Sequence, residues 1–295
     1  MEIFTLENSA LRLEVSSQGG TIEGLWWKRG AERVALLRPG KKNGVAVAAS
    51  CFPLVPFANR VSGNRFTFAG REYQLAANTD WDSHYLHGDG WLAAWRCVAH
   101  DDRQLTLTSC QRSGVYHYDA VQRFRLGDDA LEVTLEVTNR GAETLPFGLG
   151  WHPYFPLTPQ TLLQAPANGY WLEREQWLAG DFQPQLPTGL DFNQPAGLPR
   201  RWVNNGIAGW DGAARIIWPE ARCALQVRTE PPAPYYFIFV SDPQFDPGYA
   251  FDFFCIEPMS HAPDDHHRPG AGRLIPLAPG EETRLTMRLQ AQAYG

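Results

Sequence analysis

Leu131-Glu132-Val133-Thr134-Leu135-Glu136-Val137, closed by Asn139-Arg140-Gly141, is the stretch that decides the fold class. Apolar and polar residues alternate without a break, which is the period of a strand with one face in a core and the other in water. The turn-forming trio then ends the run. Working outward, the same period recurs at 11–15, 65–68, 104–108, 225–228 and 285–289. Turn residues punctuate these runs at Gly19-Gly20, Ser62-Gly63-Asn64, Gly127-Asp128-Asp129 and Pro279-Gly280. No capped amphipathic pattern extends beyond about three helical turns. Many short strands with regular turns predict an all-β protein, a large antiparallel β-sandwich in which residues 1–295 form one domain. The proline-rich segment 184–199 is expected to be a long surface loop.

Composition narrows the function classes. Hydrophobic residues are 44% of the 295 and charged residues 20%, enough for a sizeable core and too apolar for a disordered chain. The net charge is −6, and no Lys/Arg cluster stands out, which sets aside nucleic acid as a partner. The longest apolar runs, such as 235–240, fall well short of the ~20 residues of a membrane helix, so no membrane role is expected. The opening residues lack the regions of a signal peptide. Five cysteines form no CxxC pair, and an odd count argues against a disulfide framework. A cytoplasmic location follows as the expectation. The 11 Trp, 10 Tyr and 16 Phe suit either a sandwich core or a sugar-binding face, and composition alone favours the core.

Several phrases carry chemistry. Phe147-Gly148-Leu149-Gly150-Trp151-His152-Pro153-Tyr154-Phe155 sets one histidine between a glycine-rich apolar strand and an aromatic turn. Pro153 restricts His152 to extended backbone, and an imidazole so held is either a structural hydrogen-bonding group or a proton donor to a ligand. Glu257 ends the apolar run Phe251-Asp252-Phe253-Phe254-Cys255-Ile256. It reads as a desolvated base or as half of an ion pair with an arginine. Asn59-Arg60 and Arg65, around the turn at Gly63, could hold hydroxyls by forked hydrogen bonds or simply decorate a hairpin. His87 precedes Gly88 and Gly90 and leads into Trp91. Asp211, in Gly209-Trp210-Asp211-Gly212, is a turn former or a hydroxyl acceptor.

His261, Asp264, Asp265, His266 and His267 look like a metal cluster at first sight, but their spacing, like that of His84 and His87, matches no zinc pattern; a solvated loop is expected and no metal. There is no P-loop, no GxGxxG and no serine elbow, so nucleotide chemistry and serine hydrolysis lack support.

Taken in order, these phrases resemble the aldose 1-epimerase (galactose mutarotase) family. The likeness is carried by Gly19-Gly20, Asn59-Arg60 with Gly63 and Phe66, Leu86-His87-Gly88, Gly150-Trp151-His152-Pro153-Tyr154-Phe155, Gly209-Trp210-Asp211 and Ile256-Glu257-Pro258. It covers most of the chain. The resemblance implies a β-sandwich whose open face binds a sugar, with His152 as general acid and Glu257 as general base. It further implies Asn59, Arg60, His87 and Asp211 as substrate-binding residues, no cofactor, and a monomer or homodimer. The implied activity is the exchange of α and β anomers of a free hexose such as glucose or galactose. A hexose-6-phosphate mutarotase, for which Arg65 and Arg71 are the arginines to consider, and a non-catalytic sugar-binding protein stand as alternatives. Pro258-Met259-Ser260 replaces the glutamine usual soon after the base, and PYFPL replaces the commoner PYFNL, which points to a divergent bacterial branch.

Overall fold

The computed structural model describes residues 1–268 and 273–295. Among them, two large antiparallel sheets carry the fold. One has nine strands, with Glu282–Ala293, Ala130–Asn139 and Tyr118–Leu126 side by side near its middle. Here the predicted alternation holds: Leu131, Val133, Leu135 and Val137 are buried, while Glu132, Thr134 and Glu136 lie partly exposed between them. The outer face is dressed with ion pairs, such as Arg125 with Glu132 on the paired strand.

The other sheet has eleven strands. Its centre is the run Cys51–Leu54, Gly150–Pro156, Phe253–Met259, Tyr235–Val240 and Val203–Ala208. Inner residues of both sheets, including Leu13, Phe155, Ile238, Val133 and Leu225, belong to one continuous hydrophobic cluster. Burying a side chain of this kind stabilises the fold by roughly 1.5–3 kcal/mol.

The eleven-stranded sheet differs from its partner in one respect that positions everything below. All seven residues of Phe253–Met259 are buried, and so are six of the seven in Gly150–Pro156. Inter-strand loops therefore cover the face turned away from the core. Gly150 lets these two paired strands approach closely, since a Cβ there would stand 2.6 Å from the Pro258 carbonyl oxygen.

The expected strands are present, and each of the longer runs extends a little past its alternating core, as in Gln104–Gln111 and Cys223–Glu230. The segment 184–199 is mostly loop, with one short helical turn at Thr188–Leu190 and a two-residue strand, Ala196–Gly197. One expectation fails. His261, Asp264 and Asp265 are buried rather than solvated. His261 Nε2 accepts the N–H of Ala58, and Asp264 Oδ1 accepts that of Ser62, so this loop braces the one that carries Asn59 and Arg60. The Pro269-Gly270 that follows it lies outside the described residues. No helix among the described residues is long and apolar enough to cross a membrane.

Candidate active site

On the covered face of the eleven-stranded sheet lies a cleft of about 520 Å³. Its floor is formed by neighbouring central strands. His152 extends from Gly150–Pro156 and Glu257 from Phe253–Met259, and His152 Nε2 stands 3.2 Å from Glu257 Oε1. The imidazole packs against two aromatic rings, Phe52 at 4.5 Å and Tyr154 at 4.7 Å between centroids, at interplanar angles of 22° and 29°. Contact with both rings leaves the histidine little rotational freedom.

Both groups are deeply buried, and burial acts on them in opposite directions because it disfavours charge. It pushes the His152 pKa down to about 3 and the Glu257 carboxyl well above its ordinary range, the latter opposed by the charge of Arg60. Burial thus disfavours charge on both members of the pair, promoting the neutral imidazole and the neutral carboxyl. Glu257 Oε2 and His152 Nδ1 have no hydrogen-bond partner, although both are buried.

Two loops converge over the floor and hold each other. Asn59 N–H donates to His87 Nδ1 at 3.0 Å, and His87 N–H donates back to the Asn59 carbonyl at 3.0 Å. Both residues sit at positive φ, 65° for Asn59 and 59° for His87, a conformation that costs side chains energy and is held here by the paired loops. Because Nδ1 of His87 accepts, its Nε2 carries the proton in the neutral ring. Burial keeps that ring neutral, with His152 and Arg60 adding to the effect.

Ligand atoms of His87, His152 and Glu257 come within 4.8 Å of one another, the spacing of a metal triad. A protonated Nε2 on His87 is a poor ligand for a cation and a good donor to a hydroxyl, so the donor set suits an oxygen-rich organic ligand better.

Arg60 donates through Nε to Asp82 Oδ2 at 2.8 Å, with Nη2 at the same distance. Asp82, wholly buried and anchored by the His84 N–H, was not singled out by sequence; its role is to hold the Arg60 guanidinium at the cleft. The Arg60 charge lies over the Trp177 ring. Asn204, on Val203–Ala208, also lines the cleft, and its amide donates to Glu173 Oε1. Trp81, Trp91, Phe237, Phe239 and Phe245 supply aromatic walls.

The sequence profile of the aldose 1-epimerase family matches residues 2–290. The chain belongs to the aldose 1-epimerase family. Among its relatives, the Escherichia coli K12 protein YphB is 67% identical over 292 residues, 99% of each chain. A crystal structure from the same organism, at 67% identity, superposes with a TM-score of 0.96 over 99% of both chains. At 17% identity, the galactose 1-epimerase of Lactobacillus acidophilus NCFM still shares the fold, with a TM-score of 0.76 over 99% of this chain and 94% of that one.

Against this aldose 1-epimerase frame, the expected residues divide. His152, Glu257, Asn59, Arg60 and His87 all line the cleft. Asp211 does not. It is exposed in the turn after Val203–Ala208, and its Oδ1 accepts the N–H of Ala213 two residues on, so the Gly209–Gly212 phrase is a local turn. The polar group that the structure supplies from this part of the chain is Asn204. Arg65 and Arg71 are likewise outside the cleft: both are exposed, and Arg71 pairs with Glu143.

Proposed function

We propose that the protein is a mutarotase that interconverts the α and β anomers of an aldohexose, with glucose and galactose as the first sugars to assay. The observation that carries this reading is the buried His152–Glu257 contact at 3.2 Å on the floor of a cleft with aromatic walls. Membership of the aldose 1-epimerase family supports it.

The reaction needs a proton removed from the anomeric hydroxyl and one delivered to the ring oxygen. A sugar seated over the pair supplies polar contacts where burial had supplied none, which makes charge on both groups less costly, and the Glu257 proton passes to His152 while Arg60 favours the carboxylate left behind. Glu257 then takes the proton of the anomeric hydroxyl while His152 protonates the ring oxygen, the ring C–O bond breaks, and an aldehyde forms. Rotation about C1–C2 presents the other face of the carbonyl. On closure the roles reverse: His152 takes the proton of the attacking hydroxyl and Glu257 returns one to the new anomeric oxygen. No net proton or electron is consumed. Each transfer of this kind is typically worth ~10²–10⁴-fold in rate.

Around this chemistry, His87 Nε2–H and the Arg60 guanidinium are the donors that fix the remaining hydroxyls, and the Asn204 amide oxygen is an acceptor for one of them. The aromatic walls take the apolar C–H faces of the ring. Polarimetry of freshly dissolved α-glucose and α-galactose tests the reading. The wild type should speed the approach to the equilibrium rotation, and Glu257→Gln and His152→Ala should abolish most of that gain. A wild type that leaves every sugar at its spontaneous rate would overturn it.

A further inference from the structure

The cleft is longer than an anomeric site requires. Phe253 lines it as Glu257 does, yet stands four residues away on the same strand, roughly 13 Å at about 3.3 Å per residue. A volume of about 520 Å³ lies in the range that takes drug-sized ligands, whereas a free hexose has only ~12 heavy atoms.

The far end is built, and it is built around a cation. Two arginines line the cleft, Arg60 and Arg38. Arg60 is neutralised by Asp82. Arg38 lies over the rings of Tyr154, at 3.8 Å, and Phe253, at 4.4 Å. Its Nη2 donates to the carbonyl oxygens of Val47, at 2.9 Å, and Ala49, at 2.6 Å, and its backbone N–H donates to the Tyr154 carbonyl. These partners fix the guanidinium and are all uncharged, and no carboxylate among the described residues forms an ion pair with it. Close by is a second unsatisfied group. Ser241 follows the strand Tyr235–Val240, whose pairing of Phe239 with Cys255, continued by two residues, sets Ser241 level with Phe253. It lines the cleft at 1% exposure, and its hydroxyl has no hydrogen-bond partner. The acid at this rim, Asp246, spends one oxygen on the N–H of Gly248 within its own turn.

We infer that the site takes an aldose bearing an anionic substituent remote from its anomeric carbon, with Arg38 as its counter-charge and Ser241 as a donor beside it. The inference rests on the acid–base reading of His152 and Glu257. Sugar hydroxyls would leave the Arg38 charge uncompensated, whereas phosphate or carboxylate oxygens meet a fixed guanidinium edge with short, charge-assisted hydrogen bonds. Phosphate and carboxylate share this chemistry, so the experiment separates them.

Anomer exchange is measured by magnetization-transfer NMR for glucose, glucose 6-phosphate and glucuronate, with wild type, Arg38→Gln and Arg38→Lys. At least one charged sugar should exceed glucose in kcat/KM by about tenfold, and whichever leads identifies the group. Arg38→Gln should lower that charged-to-neutral ratio by about tenfold, chiefly through KM, and Arg38→Lys should restore part of it. Equal handling of all three sugars, or a ratio that Arg38→Gln leaves unmoved, overturns the inference while leaving the mutarotase reading intact. If no sugar exchanges above its spontaneous rate, that reading falls instead. Calorimetric binding of the same three sugars then decides the role of Arg38: a charged sugar that binds no tighter than glucose defeats it.

Discussion

The two sheets solve different problems with the same strand geometry. In the nine-stranded sheet, Ala130–Asn139 turns leucines and valines to the core and Glu132, Thr134 and Glu136 towards water, where a polar side chain costs nothing. In the eleven-stranded sheet, Gly150–Pro156 and Phe253–Met259 have no wet face, and a polar side chain there is expensive unless something meets it. His152 and Glu257 are kept on those strands at that cost. The difference teaches that polarity carries little information on a strand with one wet face and a great deal on a strand covered on both sides.

Substitutions can break that comparison, and the largest effect is expected at Glu257. Glu257→Gln keeps the shape of the protonated carboxyl and removes the base, so polarimetric rate enhancement should fall on the order of 10²–10⁴-fold with little loss of thermal stability. Leu135→Ala, on the inner face of the nine-stranded sheet, should do the reverse. A cost of ~2–5 kcal/mol is expected from the transfer and cavity terms, read as a lowered Tm, with kcat per folded molecule unchanged. If either substitution changed both readouts together, the division of labour between the sheets would fail.

Acid should expose the cost of the covered face. His152 titrates near 3 when folded and near its ordinary 6.5 when unfolded, so between those values the unfolded chain binds the extra proton. Stability from this group is present above pH 6.5 and is lost as pH falls towards 3. Glu257, raised on folding, has the opposite sign: its contribution is present below its ordinary pKa and is lost as pH rises through the raised value. Denaturant titrations across the acid range should show His152→Gln losing less stability on acidification than wild type; parallel curves would argue against a buried neutral imidazole.

Smaller effects sharpen the contrast. Asn204→Ala should lower kcat/KM by about tenfold, as the loss of one positioning hydrogen bond would, whereas Asp211→Ala should leave kcat/KM unaltered. Arg125→Ala, which removes an exposed ion pair on the wet face, should shift stability by less than about 1 kcal/mol.

The same contrast explains what could be read from sequence. Alternation at 131–137 announced the nine-stranded sheet, because exposure on one face imposes the period. His152 and Glu257 stood out because each interrupts an apolar stretch. Asp211 misled because a Trp-Asp-Gly turn looks alike whether the carboxylate faces a ligand or its own backbone. Asn204 and Asp82 carried no signal: Val203-Asn204-Asn205-Gly206 lacks any motif, and Asp82 matters only through Arg60, 22 residues earlier in the chain. Arg38, in Leu36-Leu37-Arg38-Pro39-Gly40, reads as the start of a turn, and its lack of a carboxylate partner is a property of space rather than of sequence.

The placement of the acid–base pair on doubly covered central strands also fixes how the site can be lost. Amides in such strands exchange with solvent only through large openings, because their hydrogen bonds have no frayed edge from which to start. Glu257 and His152 should therefore lie in segments protected nearly to the global limit. The rim around Asp242 and Asp246, tied down mainly by turns of its own, should exchange far sooner. Under mild denaturant such a molecule loosens at the rim around Asp242 and Asp246 before it sheds the capacity to move a proton.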